Sequence, residues 1–278
     1  MSHPYRSVLY LPGARERVLE KAKGLAADAL IFDLEDAVAP EDKLAARDLV
    51  CKMVQRGYGV RKSLIRINGL DTEWGEADLE AAIAAAPDGI LIPKVNGAAE
   101  LQAIAARLKG ETKLWAMMET PLGILNAKEI AASTPLLEGF VMGTNDLVKE
   151  LFASHTPDRA PVMTSLSLCL LAARAHGLIC VDGVYNAFKD EEGLRAECQQ
   201  GLAMGFDGKT LIHPAQVDIA NTVFAPDEAD LALAHRYIEA FENASGVAVV
   251  DGKIVENLHV ENAVRLLAKA DMISKMKN

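Results

Sequence analysis

The sequence predicts an α/β fold, a closed (β/α)8 barrel carrying a C-terminal extension of helix and hairpin. Three observations lead there. Eight short apolar runs recur along the 278 residues, segments of helical periodicity separate them, and most runs end in a charged, hydroxyl-bearing or glycine residue. Runs of this length, bounded by turn residues and alternating with helices, read as buried parallel strands. Eight such units close a barrel whose working residues sit where the strands end.

The runs, in order, are SVLYLPG (7–13), ALIFDLED (29–36), SLIRING (63–69), GILIPKV (89–95), KLWAMMET (113–120), GFVMGTND (139–146), ICVDGVYN (179–186) and FDGKTLIHP (206–214). Helical stretches lie between them over 15–26, 40–57, 74–86, 97–110, 123–133, 162–177 and 190–205. Their apolar residues recur at three and four positions with charges opposite, as on helices packed outside a barrel. Several close on glycine, a helix stop. Past residue 225 the pattern changes. Residues 226–245 read as a helix, 246–257 as a hairpin or loop, and 258–276 as a last helix. Residues 1–225 are therefore expected to form the catalytic barrel, and 226–278 an appendage packing on its own barrel or on a neighbouring subunit.

Half of the residues are apolar and only 5% aromatic, so alanine-rich helices and Val/Ile/Leu strands must supply the core. Cys51, Cys169, Cys180 and Cys198 lack any CxxC spacing and are expected as buried free thiols of a reducing cytosol. No apolar stretch approaches membrane-spanning length, and MSHPYRSVLY lacks the apolar core of a signal peptide; a soluble, cytoplasmic protein is expected. A net charge of −10 argues against nucleic acid or an anionic membrane as partner. A small anionic substrate would need local cations or a metal. With no GxGxxG and no GxxxxGKS/T, neither a dinucleotide nor a P-loop site has support, and no GxSxG elbow supports a serine nucleophile.

The strand ends deliver Glu35–Asp36, Arg66–Asn68, Lys94, Glu119, Asn145–Asp146, Asp182–Tyr185 and Lys209–His213. Acidic groups converging on one barrel mouth repel one another unless a cation lies between them. Oxygen ligands suit Mg²⁺, which takes one or two protein carboxylates. Glu119 and Asp146 end the fifth and sixth runs, adjacent in a barrel, so both can face one ion. Each alone also reads as a helix cap or a lysine partner. Arg66 can grip a carboxylate bidentately or polarise a carbonyl, and equally can form a structural ion pair. Arg15, Arg17, Lys21 and Lys23 offer cations for phosphate around the first helix, where Glu16 and Glu20 can also pair with them. His213, after the eighth run, lies where barrels often bind phosphate, or simply turns the chain.

At SVLYLPGARER, FDLEDAV, RINGLDTEWG, LIPKV, MMETPLG, MGTNDL, GFDGKTLIHPAQ and DGKIVEN the chain resembles the citrate lyase beta-subunit and malyl-CoA lyase (HpcH/HpaI aldolase) family. The match runs over essentially the whole chain, and within the family it is most similar to the (3S)-malyl-CoA thioesterase branch. The resemblance implies a Mg²⁺-dependent barrel enzyme (Mn²⁺ as the alternative) acting on a coenzyme A thioester, assembled as a homotrimer or hexamer. It implies Glu119 and Asp146 as metal carboxylates, Arg66 at the hydroxy- or keto-acid end of the substrate, and Glu35 and Asp36 beside the metal's waters. It further implies Arg15 and Lys21 near the CoA phosphates and the HPAQ segment, with His213 and Gln216, near the nucleotide. Many lyases of the family donate a C-terminal aspartate to the neighbouring subunit's site as acid/base; here the matching stretch holds Glu256, with Asp251 close in sequence. Hydrolysis of malyl-CoA to malate and CoA is the expected reaction. Cleavage to a keto acid and acetyl- or propionyl-CoA, or a role as a citrate lyase complex subunit, are the alternatives.

Overall fold

The computed structural model describes residues 3–243 and 247–276. The end expected for the helix over 226–245 and the first hairpin residue, Gly246, lie outside them. The eight runs form β1 (Ser7–Pro12), β2 (Ala29–Asp33), β3 (Lys62–Arg66), β4 (Gly89–Ile92), β5 (Lys113–Met118), β6 (Leu137–Met142), β7 (Ile179–Asp182) and β8 (Gly208–Leu211). They pair in sequence order, and β8 pairs parallel with β1 to close the barrel.

The helices between them are α1 (Glu16–Ala22), α2 (Lys43–Gln55), α3 (Gly75–Ala85), α4 (Ala98–Ala105), α5 (Pro121–Leu125), α6 (Ala127–Ala131), α7 (Thr144–Glu150), α8 (Met163–Ala175) and α9 (Glu191–Met204); α10 (Val217–Val223) follows β8. Two expectations are corrected. The single helix read over 123–133 is broken at Asn126, whose backbone leaves the helical region and whose amide donates to the Asn96 carbonyl at 2.8 Å. The sixth run ends as strand at Met142, and its last residues instead open α7. Asp146 therefore sits in the first turn of a helix, not on a strand.

The chain divides into two compact units. One spans Tyr5–Asn221 and holds the barrel; the described residues after Asn221 and before Tyr5 form the other. In the second unit α11 (Glu228–Glu242) packs on α12 (Asn257–Met276). Strands β9 (Ala248–Val250) and β10 (Lys253–Val255) pair antiparallel, so the segment read as hairpin or loop is a hairpin. Its turn is Asp251–Gly252, with φ of 52° and 74°, the positive pair that two-residue hairpins require. Ala248, Val250 and Val255 bury their side chains against Tyr237 and Phe241.

Trp115 is the largest fully buried side chain of the barrel. Its Nε1 donates to Glu138 at 2.9 Å and its ring centroid lies 5.0 Å from that of Tyr5. Gly89 and Gly139 make room for the indole on the neighbouring strands: a Cβ on Gly139 would come within 2.6 Å of the ring and 2.9 Å of the Ile179 carbonyl. Cys169, Cys180 and Cys198 are buried free thiols as expected, and Cys51 is half-buried. Among the described residues no helix is long and apolar enough to cross a membrane. Replacing Gly139 with Ala overpacks this layer and is expected to destabilise the protein by about 1–3 kcal/mol. Denaturant melts check this: the midpoint should fall with the slope unchanged.

Candidate active site

The carboxyl ends of β2 to β5 and the start of α7 bring Glu35, Arg66, Lys94, Glu119 and Asp146 to one mouth of the barrel. Arg66 is the hub. Its Nε and Nη2 donate to the two oxygens of Asp33 at 2.7 and 2.6 Å. Its Nη1 lies 2.9 Å from Glu35 and 3.6 Å from the exposed carboxylate of Asp36. The bidentate fork that the sequence offered to a substrate is thus already used by Asp33, and only Nη1 remains on the Glu35 side. Burial opposes the guanidinium charge, but Asp33, Tyr10 and Glu35 together outweigh it and hold the pKa above its ordinary value.

Glu35 is buried; its Oε1 accepts from Lys94 Nζ at 2.7 Å, and its Oε2 lies 2.9 Å from Arg66 Nη1 as an ion pair without a hydrogen bond. Burial pushes its carboxyl up, and Arg66 and Lys94 pull it back only in part. Glu119 is 1% exposed. Its Oε1 accepts the Lys94 backbone N–H at 2.9 Å, while the buried Oε2 has no hydrogen-bond partner. Oε2 faces Gly143, where a Cβ would lie 2.3 Å from it. Burial, then the charges of Glu35 and Asp146, raise the Glu119 carboxyl to about 7.

An orphaned buried carboxylate oxygen, a glycine that clears space at it and a half-buried aspartate close enough to raise its pKa fit a hard divalent cation. Glu119 and Asp146 would hold it, with remaining positions left to water or substrate oxygens. Among the described residues no group of three or more His, Cys, Asp or Glu forms a preassembled cage, as befits an ion that keeps several waters.

Other sequence candidates divide. Gln216 is buried and spent on structure: its Oε1 accepts from the N–H groups of Ile212 and His213, and its Nε2 donates to the Tyr185 carbonyl at 2.9 Å. The side chain thus closes its own loop. His213 is exposed and stacked on Phe188, centroids 4.7 Å apart. Arg15 and Lys21 are exposed, at the start and in the last turn of α1. Asp182 and Lys209 meet underneath, in a buried network with Arg159 and Glu197, and are structural ion pairs. Beside it, a cavity of about 420 Å³ is lined by Thr144, Val148, Val162, Val184 and Tyr185 among others. In the second unit Asp251 is a turn residue ion-paired to Arg236 at 2.9 Å. Glu256, exposed, immediately precedes α12; its N–H donates to His259 Nδ1 at 3.0 Å, leaving its carboxylate outside the cap.

Sequence reasoning missed Asp33, Lys43 and Arg159. Lys43 is buried, and its ammonium donates to the carbonyls of Leu34 and Glu35 and to Asn68, pinning the chain that carries Glu35. The available signal for Asp33 was an acid facing an arginine at equivalent ends of consecutive strands.

Carboxylates and an arginine at the ends of successive strands, with an unpartnered carboxylate oxygen that fits a cation, define a metal-assisted barrel enzyme. The chain belongs to the HpcH/HpaI aldolase/citrate lyase family, whose model matches residues 6–214. A second model, C-C bond lyase of the TIM-barrel fold, matches residues 158–274. The chain is 63% identical to a (3S)-malyl-CoA thioesterase of Cereibacter sphaeroides, covering 99% of this chain and 98% of that one. It is 34% identical to citrate lyase subunit beta of Escherichia coli, over 96% and 93% of the two chains. The structure of CitE from Mycobacterium tuberculosis, in complex with magnesium, acetoacetate and coenzyme A, superposes with a TM-score of 0.83 at 32% identity, covering 97% and 98%.

Gly143→Ala should push the Glu119 carboxylate aside and abolish measurable Mg²⁺ binding in calorimetric titration while the fold persists by circular dichroism. A cation needs Glu119 ionised, so below its pKa of about 7 binding must expel a proton. Metal affinity is therefore expected to fall roughly tenfold per pH unit below that point and to level off above it. Titrations across that range check the sign and the break.

Proposed function

We propose that this chain hydrolyses (3S)-malyl-CoA to malate and coenzyme A with Mg²⁺, or Mn²⁺ in its place, held by Glu119 and Asp146. The carrying observation is the end-to-end 63% identity to a (3S)-malyl-CoA thioesterase. The bound cation would supply Lewis-acid polarisation and a template for the acyl end. Arg66, with two nitrogens committed to Asp33, presents Nη1 to the malyl carboxylate or hydroxyl. Glu35 and Asp36 flank that contact and orient water. The thioester carbonyl is attacked by a water whose proton passes to Glu256; the C–S bond breaks and the CoA thiolate leaves and is protonated. Asp251 is the less favoured candidate, since it sits in a two-residue turn with its carboxylate paired to Arg236.

Coenzyme A would lay its phosphates by Arg15 and Lys21 and its base by the His213–Phe188 stack, where exposed aromatic faces suit a purine. We infer a cytoplasmic homotrimer or hexamer in which residues 226–278 pack on a neighbouring subunit and present Glu256 there. The exposed apolar side chains Val247, Val249, Ile254 and Leu258 of the second unit support such a contact. The net charge of −10 argues against nucleic acid or an anionic membrane as partner.

A carbon–carbon lyase is the second reading, favoured by the C-C bond lyase match over 158–274 and by the citrate lyase subunits. A product assay on (3S)-malyl-CoA with a glyoxylate trap separates them. Malate and free CoA without glyoxylate are expected; acetyl-CoA with trapped glyoxylate would mean a lyase. Glu256→Gln should slow CoA release by about 10²–10⁴-fold, the usual worth of a general base.

A further inference from the structure

We propose that Lys94 is a positioning residue whose left-handed backbone, enforced by the loop after β4, fixes two carboxylates of the site at once. The proposal rests on the metal role read for Glu119. Lys94 has φ of 50°, a conformation that residues with a side chain rarely adopt and that tends to occur at functional sites when surroundings enforce it. The consequence is directional. The backbone N–H points to Glu119 Oε1 at 2.9 Å, and the ammonium reaches Glu35 Oε1 at 2.7 Å. With Oε1 occupied, Glu119 is left with Oε2 towards Gly143. One residue on β4's end therefore sets carboxylates delivered by β2 and β5.

The enforcement is visible in the loop itself. The Asn96 side chain donates to the Lys94 carbonyl at 2.9 Å and accepts the Thr120 hydroxyl at 2.6 Å. Thr120 is the residue after Glu119, so Lys94–Asn96 and Glu119–Thr120 are tied at both ends of a closed ring of hydrogen bonds. The Asn96 carbonyl is held in turn by Asn126 at 2.8 Å. The N–H groups of Asn96 and Gly97 both donate to Glu100. The Val95 carbonyl packs where a Cβ on Gly123 would lie 2.2 Å away, so this approach needs a glycine in the first turn of α5. The ring leaves Lys94 no room to relax.

The test uses Mn²⁺ as a probe, without substrate, on the full chain. Lys94→Gly and Lys94→Val both delete the ammonium, but glycine accepts the left-handed conformation and a β-branched residue resists it. The glycine variant should bind Mn²⁺ within about threefold of wild type, and the valine variant about tenfold more weakly or worse. Equal affinities of the two variants would overturn the backbone role. Should Lys94→Val not fold, Asn96→Ala replaces it, opening the ring with Lys94 in place; weakened Mn²⁺ binding supports the proposal and wild-type binding overturns it. Turnover of malyl-CoA reads the side chain. Lys94→Gly should lower kcat with KM little changed, and Lys94→Arg should restore part of it. A raised KM with kcat intact would make Lys94 a direct substrate contact and overturn the positioning role. A wild-type protein that binds Mn²⁺ yet consumes no malyl-CoA defeats the reaction reading alone, since the glycine–valine comparison still decides. No Mn²⁺ binding by wild type overturns both.

Discussion

The buried fork between Asp33 and Arg66 is the interaction on which the site depends. The two residues are register partners at the ends of β2 and β3, 1% and 6% exposed. Burying such a pair costs several kcal/mol per ion in desolvation, offset only when geometry is good and the remaining donors and acceptors are met. Here they are. Both oxygens of Asp33 take an Arg66 nitrogen, and they also accept the N–H groups of Glu35 at 2.9 Å and Ala37 at 3.0 Å. The fork thereby shapes the chain after β2, and that chain places Glu35. The placement then propagates: Arg66 and Lys94 hold Glu35, and Lys94 holds Glu119. Four neighbouring strands are coupled through charges rather than through packing alone.

Charge balance explains why the site wants a cation. Asp33, Glu35, Glu119 and Asp146 gather around Arg66 and Lys94, with Asp36 at the rim. Lys43 offsets part of the excess, since Asp33, Glu35 and Asp36 all act on its ammonium, but the acids still outnumber the cations. Glu119, the most enclosed of the acids outside the fork, bears the consequence as a carboxyl raised to about 7. A divalent ion at its open oxygen would remove that repulsion. The network of Asp182, Glu197, Arg159 and Lys209 is balanced in charge, two against two, although Arg159 Nη2 is buried without a hydrogen-bond partner.

The barrel was legible because period and length carry it: eight short apolar runs alternate with helical stretches, and six of the eight strands fall within their runs, β3 and β6 starting one and two residues earlier. Glu35, Arg66, Glu119 and Asp146 were legible as strand-end polar residues, the positions a barrel exposes at its mouth. Asp33 was not, because FDLED offers three acids and only the pairing register shows which one faces Arg66. The structural part played by Gln216 was hidden for a related reason. A glutamine after a His–Pro pair can bind a ligand or close its own loop, and its three bonds to Ile212, His213 and Tyr185 exist only in the folded chain. Arg159 lies 23 residues from Asp182 in a loop with no periodicity to mark it. The helix carrying Asp146 was hidden because its first turn continues an apolar run without a break.

The barrel unit offers the same grip to hydrolysis and to carbon–carbon cleavage. On the proposed reading, either reaction would hold an anionic acyl end near Arg66 and a cation at Glu119 and Asp146, and the chain has relatives named as thioesterase and as lyase subunit. What separates them is the base that acts once substrate is bound. Glu35 is poorly suited: each of its oxygens already meets a cation, and taking a proton would break two ion pairs. Glu119 is committed to Lys94 on one oxygen and to the proposed ion on the other. The remaining acids of the C-terminal unit sort by local geometry, since Asp251 is fixed in a two-residue turn by a positive φ and by Arg236. Glu256 is exposed at the start of a helix whose first turn is capped by His259, so its backbone is anchored while its carboxylate can reach outward. A base mounted that way belongs to a different element from the substrate grip. The reaction can then be changed at the C-terminal unit without disturbing the chain of charges that begins at Asp33.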